Sequence, residues 1–223
     1  MKLQNLRRNA GIATAALALS FSLAACGEDE PSGSDSTDNT SKTPDGADGA
    51  KAGAGAQTFG DGCANVPTSG AGSFDGMVKD PVATAASNNP LLKTLVAAVG
   101  AVDGLADTLN GAEALTVFAP FDGAFAEIPE ADLNGLVMEG QEKGQDSTLY
   151  KILAHHVIGA NEDKDSIAGS QETLAGDKLT IEGNAESGMT VTDGTVTANV
   201  ICGNVPTANA TVYVIDKVLT GVK

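Results

Sequence analysis

Residues 27–58 contain no aromatic side chain and no Val, Ile, Leu or Met; Gly, Ser, Thr, Ala, Pro and acidic residues dominate. Such a segment has no apolar area with which to offset the entropy of fixing its backbone, so it is expected to be disordered. Any folded domain must therefore be made from Phe59 onward, where branched aliphatics and aromatics appear. As a Gly/Ser-type coil the segment would reach about 30 Å, a spacer's length. The 223 residues suit one domain plus tails, and 42% hydrophobic content suffices for a core. With 29 acidic residues against 13 basic, the chain carries −16, which argues against a nucleic-acid partner, since phosphate binding needs clustered Lys and Arg. Aromatics at 4%, with no Trp, argue against platforms for stacking bases or sugars.

Ahead of the spacer, Lys2, Arg7 and Arg8 precede an apolar run over residues 10–25. That run is shorter than the roughly 20 residues of a bilayer span, and a basic start before a short apolar run is a secretory-signal pattern. Arg7-Arg8 matches a twin-arginine signal only weakly. The run ends in Leu23-Ala24-Ala25-Cys26, which resembles the lipobox of bacterial lipoproteins. The resemblance implies cleavage before Cys26, a diacylglyceryl group on its thiol and acylation of the new amine. Two or three chains hold where one does not, each buried methylene contributing about 0.8 kcal/mol. The alternative is an ordinary signal peptide with a chance Cys. After cleavage ten Lys and no Arg face all 29 acids, a net of −19, which excludes bidentate Arg clamps on phosphate or carboxylate. With Cys26 lipidated, Cys63 and Cys202 are the two thiols of an exported domain. One disulfide is the parsimonious reading, two free buried thiols the alternative. A bridge would pin residues 59–78 against the last strands.

Periodicity gives the elements. Asp80-Pro81 is expected to open a helix, with Asp80 as N-cap and Pro81 at the first position. Leu91, Leu92, Leu95, Val96 and Val99 repeat at helical spacing, Leu105 and Leu109 mark a short helix, and Leu149, Ile152, Leu153 and His156 share a helical face. Leu115-Thr116-Val117-Phe118-Ala119 is a buried-strand run stopped by Pro120, after which Asp122 is expected to cap a helix over residues 123–128. Beyond Gly159 the pattern is β: residues 179–181, 189–191, 196–201 and 211–219, with Asp193-Gly194 as a hairpin signal. Helices followed by antiparallel strands make the fold class α+β.

Three stretches carry a family resemblance. Thr116-Val117-Phe118-Ala119-Pro120 with Asp122, Ala124 and Phe125 resembles the first signature of the fasciclin domain, with Phe121 where the family has Thr. Leu153-Ala154-His155-His156-Val157-Ile158 is similar to its Tyr-His motif, His155 replacing the Tyr. Residues 210–219, ATVYVIDKVL, look like its closing strand. Cys63, the Asn88-Asn89-Pro90 corner and residues 202–205 bring the chain nearest to actinobacterial fasciclin-type secreted and lipid-anchored surface antigens. The resemblance implies two β-sheets forming a wedge, with several α-helices packed at one side, and adhesion or extracellular binding rather than catalysis. It makes Asp122, His156 and Asp216 structural motif positions. His156 would be buried, joining helix to strand, and its protonation near pH 5–6 would destabilise the domain; His155 would be exposed.

The remaining chemistry is thin. Neighbours on a helix point about 100° apart, so His155 and His156 cannot chelate one metal. Asn161, Asp163, Asp165 and Glu172 echo an EF-hand loop, but Ser166 stands where a Gly is needed and the stretch beyond it reads as strand. Nucleophile-elbow, phosphate-loop and dinucleotide motifs are absent, so no catalytic residue, metal or cofactor is expected. The chain thus divides into a lipoprotein signal peptide (1–25), the lipidated Cys26 and disordered tether (26–58), a lead-in pinned by a disulfide (59–78) and a fasciclin-like domain (79–223). The expected protein is a monomer lipid-anchored at the outer face of the cell membrane, partly shed, that binds an extracellular protein or a cell-wall or matrix partner. The alternative is a receptor for a small apolar ligand held between sheet and helices. The domain side carries 22 acids against eight Lys, so an electrostatically steered partner would be basic.

Overall fold

The computed structural model describes residues 53–222; the signal segment, Cys26 and the tether up to residue 52 lie outside the described residues. Chain order is α1 (Phe74–Met77), α2 (Val82–Asn88), α3 (Lys93–Ala101), α4 (Leu105–Gly111), β1 (Leu115–Pro120), α5 (Asp122–Phe125), α6 (Glu130–Lys143), α7 (Thr148–His155), β2 (Val157–Ile158), β3 (Gly169–Glu172), β4 (Lys178–Asn184), β5 (Gly188–Thr192), β6 (Thr197–Pro206) and β7 (Ala210–Ile215). Single 3₁₀ turns lie at Gly53–Gly55, Asp61–Asn65 and Gly144–Asp146. The first of these falls within the stretch expected to be tether, and Ala54 packs against the core while its N–H donates to Asp75. Ordered structure therefore begins before Phe59.

The strands form one seven-stranded sheet in the order β2-β1-β7-β6-β5-β4-β3, not the expected two-sheet wedge. All pairings are antiparallel except β1 with β7, which run parallel in register from Leu115–Ala210 to Pro120–Ile215. β6 serves both halves: Thr197, Ala198 and Asn199 pair with β5, and Val200 to Pro206 pair with β7 through two register shifts. Asn204, at φ 59, sits in the second shift; Asn is among the residues that tolerate left-handed backbone, and such bulges bend a strand. The curl brings the ends together, with a bridge between Ile158 and Thr173 and a 2.8 Å bond from Leu174 N–H to Val157 O. The result is nearly a closed barrel.

Side-chain alternation then sorts two cores. β1 and β7 send Phe118, Tyr213 and Ile215 into the barrel, where they meet Ile167, Leu179 and Val191. Their alternate residues, Leu115, Ala119, Val212 and Val214, face the helix layer. Both faces are buried, which is why these strands read as continuous apolar runs. β4 instead alternates, with Leu179 and Ile181 inward and Lys178, Thr180 and Glu182 exposed. The closing strand stops at Ile215, short of the expected residue 219.

Two expected caps are corrected. Asp80 does not cap α2; Pro81 occupies the N-cap position with no side-chain bond. The α2 donors are met across the chain: Val82 N–H donates to Asn209 Oδ1 (2.9 Å), and Ala83 and Thr84 N–H donate to Asn110 Oδ1 (2.9 and 3.3 Å). Asp122 likewise does not cap its own helix; its Oδ1 accepts from Thr94 N–H at 2.7 Å, in the first turn of α3. The helix start supplies orphan donors, and a carboxylate from any part of the chain can satisfy them. α6 gives no periodic signal because Leu133, Leu136 and Val137 are only half-buried and Met138 is exposed.

Asn209 also donates to Leu109 O and Ala112 O, at 2.9 and 2.8 Å, tying α2, α4 and the start of β7. Asn209→Ala should destabilise the domain by about 2–3 kcal/mol, a lost cap plus orphaned buried carbonyls. Asn209→Asp, which keeps the acceptor, should lose less. The test is the urea midpoint at unchanged slope; equal stability of the Ala variant would refute the keystone role.

Candidate functional site

The lead-in is clasped to β6. Cys63, in the 3₁₀ turn Asp61–Asn65, is bonded to Cys202 with S–S 2.03 Å and Cα–Cα 4.8 Å. Beside it, Phe59 and Gly203 exchange backbone bonds (3.2 and 2.8 Å), and the Phe59 ring occupies the space that a side chain at position 203 would need. A cross-link of 139-residue separation contributes on the order of 4–5 kcal/mol in the loop-entropy model.

The two histidines end α7. His156 is 3% exposed, its Nδ1–H donating to Ile152 O (2.7 Å) and its Nε2 accepting from Leu219 N–H (3.0 Å). Those roles require the neutral ring, and burial pushes its pKa down to about 4. His156 joins α7 to the segment after β7. His155, expected exposed, is 1% exposed. Its Nδ1 lies 2.6 Å from Asp177 Oδ1, and its Nε2 lies 3.6 Å from Asp193 Oδ2. The turn before β4 and the hairpin before β6 cover that side of the helix end, so both neighbouring rings are enclosed. Burial pushes the Asp193 carboxyl up, but the N–H groups of Val196, Thr195 and Gly221 outweigh it and hold it below the usual carboxylate range. Asp177 and Asp193 have no sequence signal, because only the fold brings them to His155.

Asp216 accepts from Asn199 N–H and Nδ2–H at 2.7 and 2.6 Å, fastening β6 to the end of β7. The motif residues Asp122, His156 and Asp216 thus lie at separate junctions and make no common site. In the acidic loop Asp163 Oδ1 is taken up by Asp165 N–H, Ser166 N–H and Ser166 Oγ–H, all at 3.0 Å. Among the described residues no group of three or more His, Cys, Asp or Glu could hold a metal.

What does stand open is apolar. A cavity of about 320 Å³ lies between α2, α3 and α4 on one side and β1, α7 and β2 on the other. Val99, Ala106, Val117 and Leu153 contribute to its wall, which among the described residues contains no Lys, Asp or Glu. Its volume is within the range of small-molecule sites. Helical spacing at Leu95, Val99, Leu105 and Leu109 identifies apolar faces but cannot distinguish a filled interface from a hollow one.

Mixed barrel, flanking helices, a buried His of the Tyr-His motif and a closing strand define a fasciclin domain. The sequence matches the Fasciclin domain family over residues 90–221, and the chain belongs to that family. It is 40% identical over 220 residues to the cell surface glycolipoprotein MPB83 of Mycobacterium bovis, the alignment covering 94% of each chain. To the immunogenic protein MPB70 of M. bovis it is 42% identical over 168 residues, 72% of this chain and 80% of that one. A solved FAS1 domain pair from the insect cell adhesion molecule fasciclin I aligns at 23% identity and TM-score 0.45, over 58% of this chain and 44% of that chain.

His156 generates a pH dependence of defined sign. An unfolded His titrates near 6.5, so between about 6.5 and 4 the unfolded chain binds a proton that the fold excludes. The contribution is fully present above pH 6.5 and is lost as pH falls towards 4, on the order of 3 kcal/mol in all. The difference in urea midpoint between the parent and His156→Gln should therefore shrink from pH 7 to pH 4.5. A constant difference would exclude the neutral, buried state.

Proposed function

We propose that this protein is a lipid-anchored module of the cell surface that binds an extracellular protein or a cell-wall or matrix polymer and carries out no catalysis. The observation that supports it is the 94% coverage, at both ends of the comparison, with a cell surface glycolipoprotein. The alignment is long enough to reach beyond the domain into the segment holding Leu23-Ala24-Ala25-Cys26. In this reading the acylated Cys26 holds the protein at the outer face of the membrane and the Ser/Thr-bearing tether lifts the domain away from it. The tether hydroxyls are candidate sugar acceptors. Affinity comes from surface patches on a strongly acidic monomer, so the partner is basic where it meets the domain. The non-catalytic reading rests on the side-chain chemistry: His155, flanked by carboxylates, is sealed inside and does not line the cavity.

A second reading is favoured by the 320 Å³ cavity with no charged residue among its described wall: the domain is a receptor for a small apolar ligand.

Labelling growing cells with a fatty-acid probe tests the anchor. Label should be carried by the parent and lost in Cys26→Ser, with the protein moving from membrane to medium; label retained by Cys26→Ser would sink the anchoring. For the partner, capture by the mature protein from matrix, cell-wall and membrane fractions should weaken severalfold when salt is raised from about 50 to about 500 mM. Binding indifferent to salt would contradict the basic-partner assignment.

A further inference from the structure

The apolar cavity has a second chamber that says what the ligand's other end must be. A smaller space of about 220 Å³ adjoins it and shares Tyr150, Ala154 and Leu174 with it. Gln145 and Lys151 complete its polar side, and among the described residues Lys151 is the only Lys, Asp or Glu of either wall.

Within the inner cavity most polar side chains already serve the fold. Asn110 Oδ1 accepts from the α2 backbone, Ser87 Oγ–H donates to Thr84 O, and Thr108 Oγ1–H donates to Gly104 O. Both His156 nitrogens are engaged as well. The rest of the wall is mainly aliphatic, so the space suits hydrocarbon far better than a polar group. At roughly 30 Å³ per water-sized group, the space holds a chain of about ten methylenes. At the junction the situation reverses. Tyr150 hydroxyl makes no hydrogen bond among the described residues, and Lys151, exposed, is in no ion pair there. Leu174 is 51% exposed, one of two large apolar side chains so placed among the described residues, and lines both spaces.

We infer that the site takes a free single-chain fatty acid, its hydrocarbon in the inner cavity and its carboxylate at Lys151, Gln145 and the Tyr150 hydroxyl. The inference rests on the receptor reading above and adds the chemistry of the head. Charge supports it: on a domain with 22 acids, an anion is drawn only where a Lys stands without an acidic partner.

The test uses the full chain with Cys26→Ser, so that no covalent lipid competes, titrated with radiolabelled dodecanoic acid. Saturable one-to-one binding is expected, displaced by unlabelled dodecanoic acid and about fivefold less well by methyl dodecanoate. Lys151→Glu should weaken the acid by a similar factor and leave the ester unchanged. Ala106→Trp should abolish binding by filling the cavity, with unchanged circular dichroism. Gly100→Leu, where an added Cβ meets no atom within 4 Å, is the second filling variant should the first perturb folding. Equal displacement by acid and ester, with no effect of Lys151→Glu, would overturn the head-group assignment while sparing the receptor. Displacement by phosphatidylglycerol vesicles as effective as by dodecanoic acid would assign a bilayer lipid and overturn the free acid. Absence of saturable binding, or binding indifferent to both filling variants, would overturn the receptor reading as well.

Discussion

The parallel pair β1–β7, buried on both faces, is the constraint on which the rest of the domain depends. One face supplies Phe118, Tyr213 and Ile215 to the barrel; the other gives the helices Leu115, Val212 and Val214 to pack on. A parallel neighbour cannot be reached by a tight turn. The chain after β1 therefore travels through α5–α7 and the antiparallel strands before β7 returns beside it. The barrel and the helix layer are consequences of that one pairing, and polar substitution on either face of these strands would open a core.

Around this pair the polar junctions work at long range. Asn209 caps α2, Asp122 caps α3, His156 holds Leu219, and Cys63 holds Cys202. Each joins segments that are remote in sequence, so helix starts that would otherwise fray are fixed only when the sheet has formed. A similar logic explains the cavity: α2, α3 and α4 are short helices held at their ends by these bonds, and their apolar faces meet β1 and α7 without filling the space between.

Much of the scaffold is legible along the chain. Helical spacing locates α3, α4 and α7, the Asp193-Gly194 turn locates the β5–β6 hairpin, and continuous against alternating apolar runs separate β1 and β7 from β4. α6 escapes such reading because a helix lying on the surface with half-buried Leu133 and Leu136 lacks a strong stripe. The caps fall to other partners than local rules suggest, since those rules place a carboxylate on its own helix, whereas Asp122 reaches α3 and α2 is served by Asn209. His155 reads as a surface residue because nothing local announces Asp177 and Asp193, which two turns of the sheet bring to it.

By itself the sequence determined the order of its parts: a basic start and apolar run ending at Cys26, a stretch poor in apolar residues, then an acidic region bearing the fasciclin signatures and two cysteines. These follow from composition and local spacing, which are properties of neighbouring residues. The tertiary structure alone decided that the strands make one nearly closed sheet, that both histidines are enclosed, and that the helix layer leaves an apolar space beside a smaller one lined by Lys151. Those features depend on side chains from distant segments meeting, and on how fully they fill the volume between them. An apolar face looks the same in sequence whether the surface opposite it is in contact or a few ångströms away.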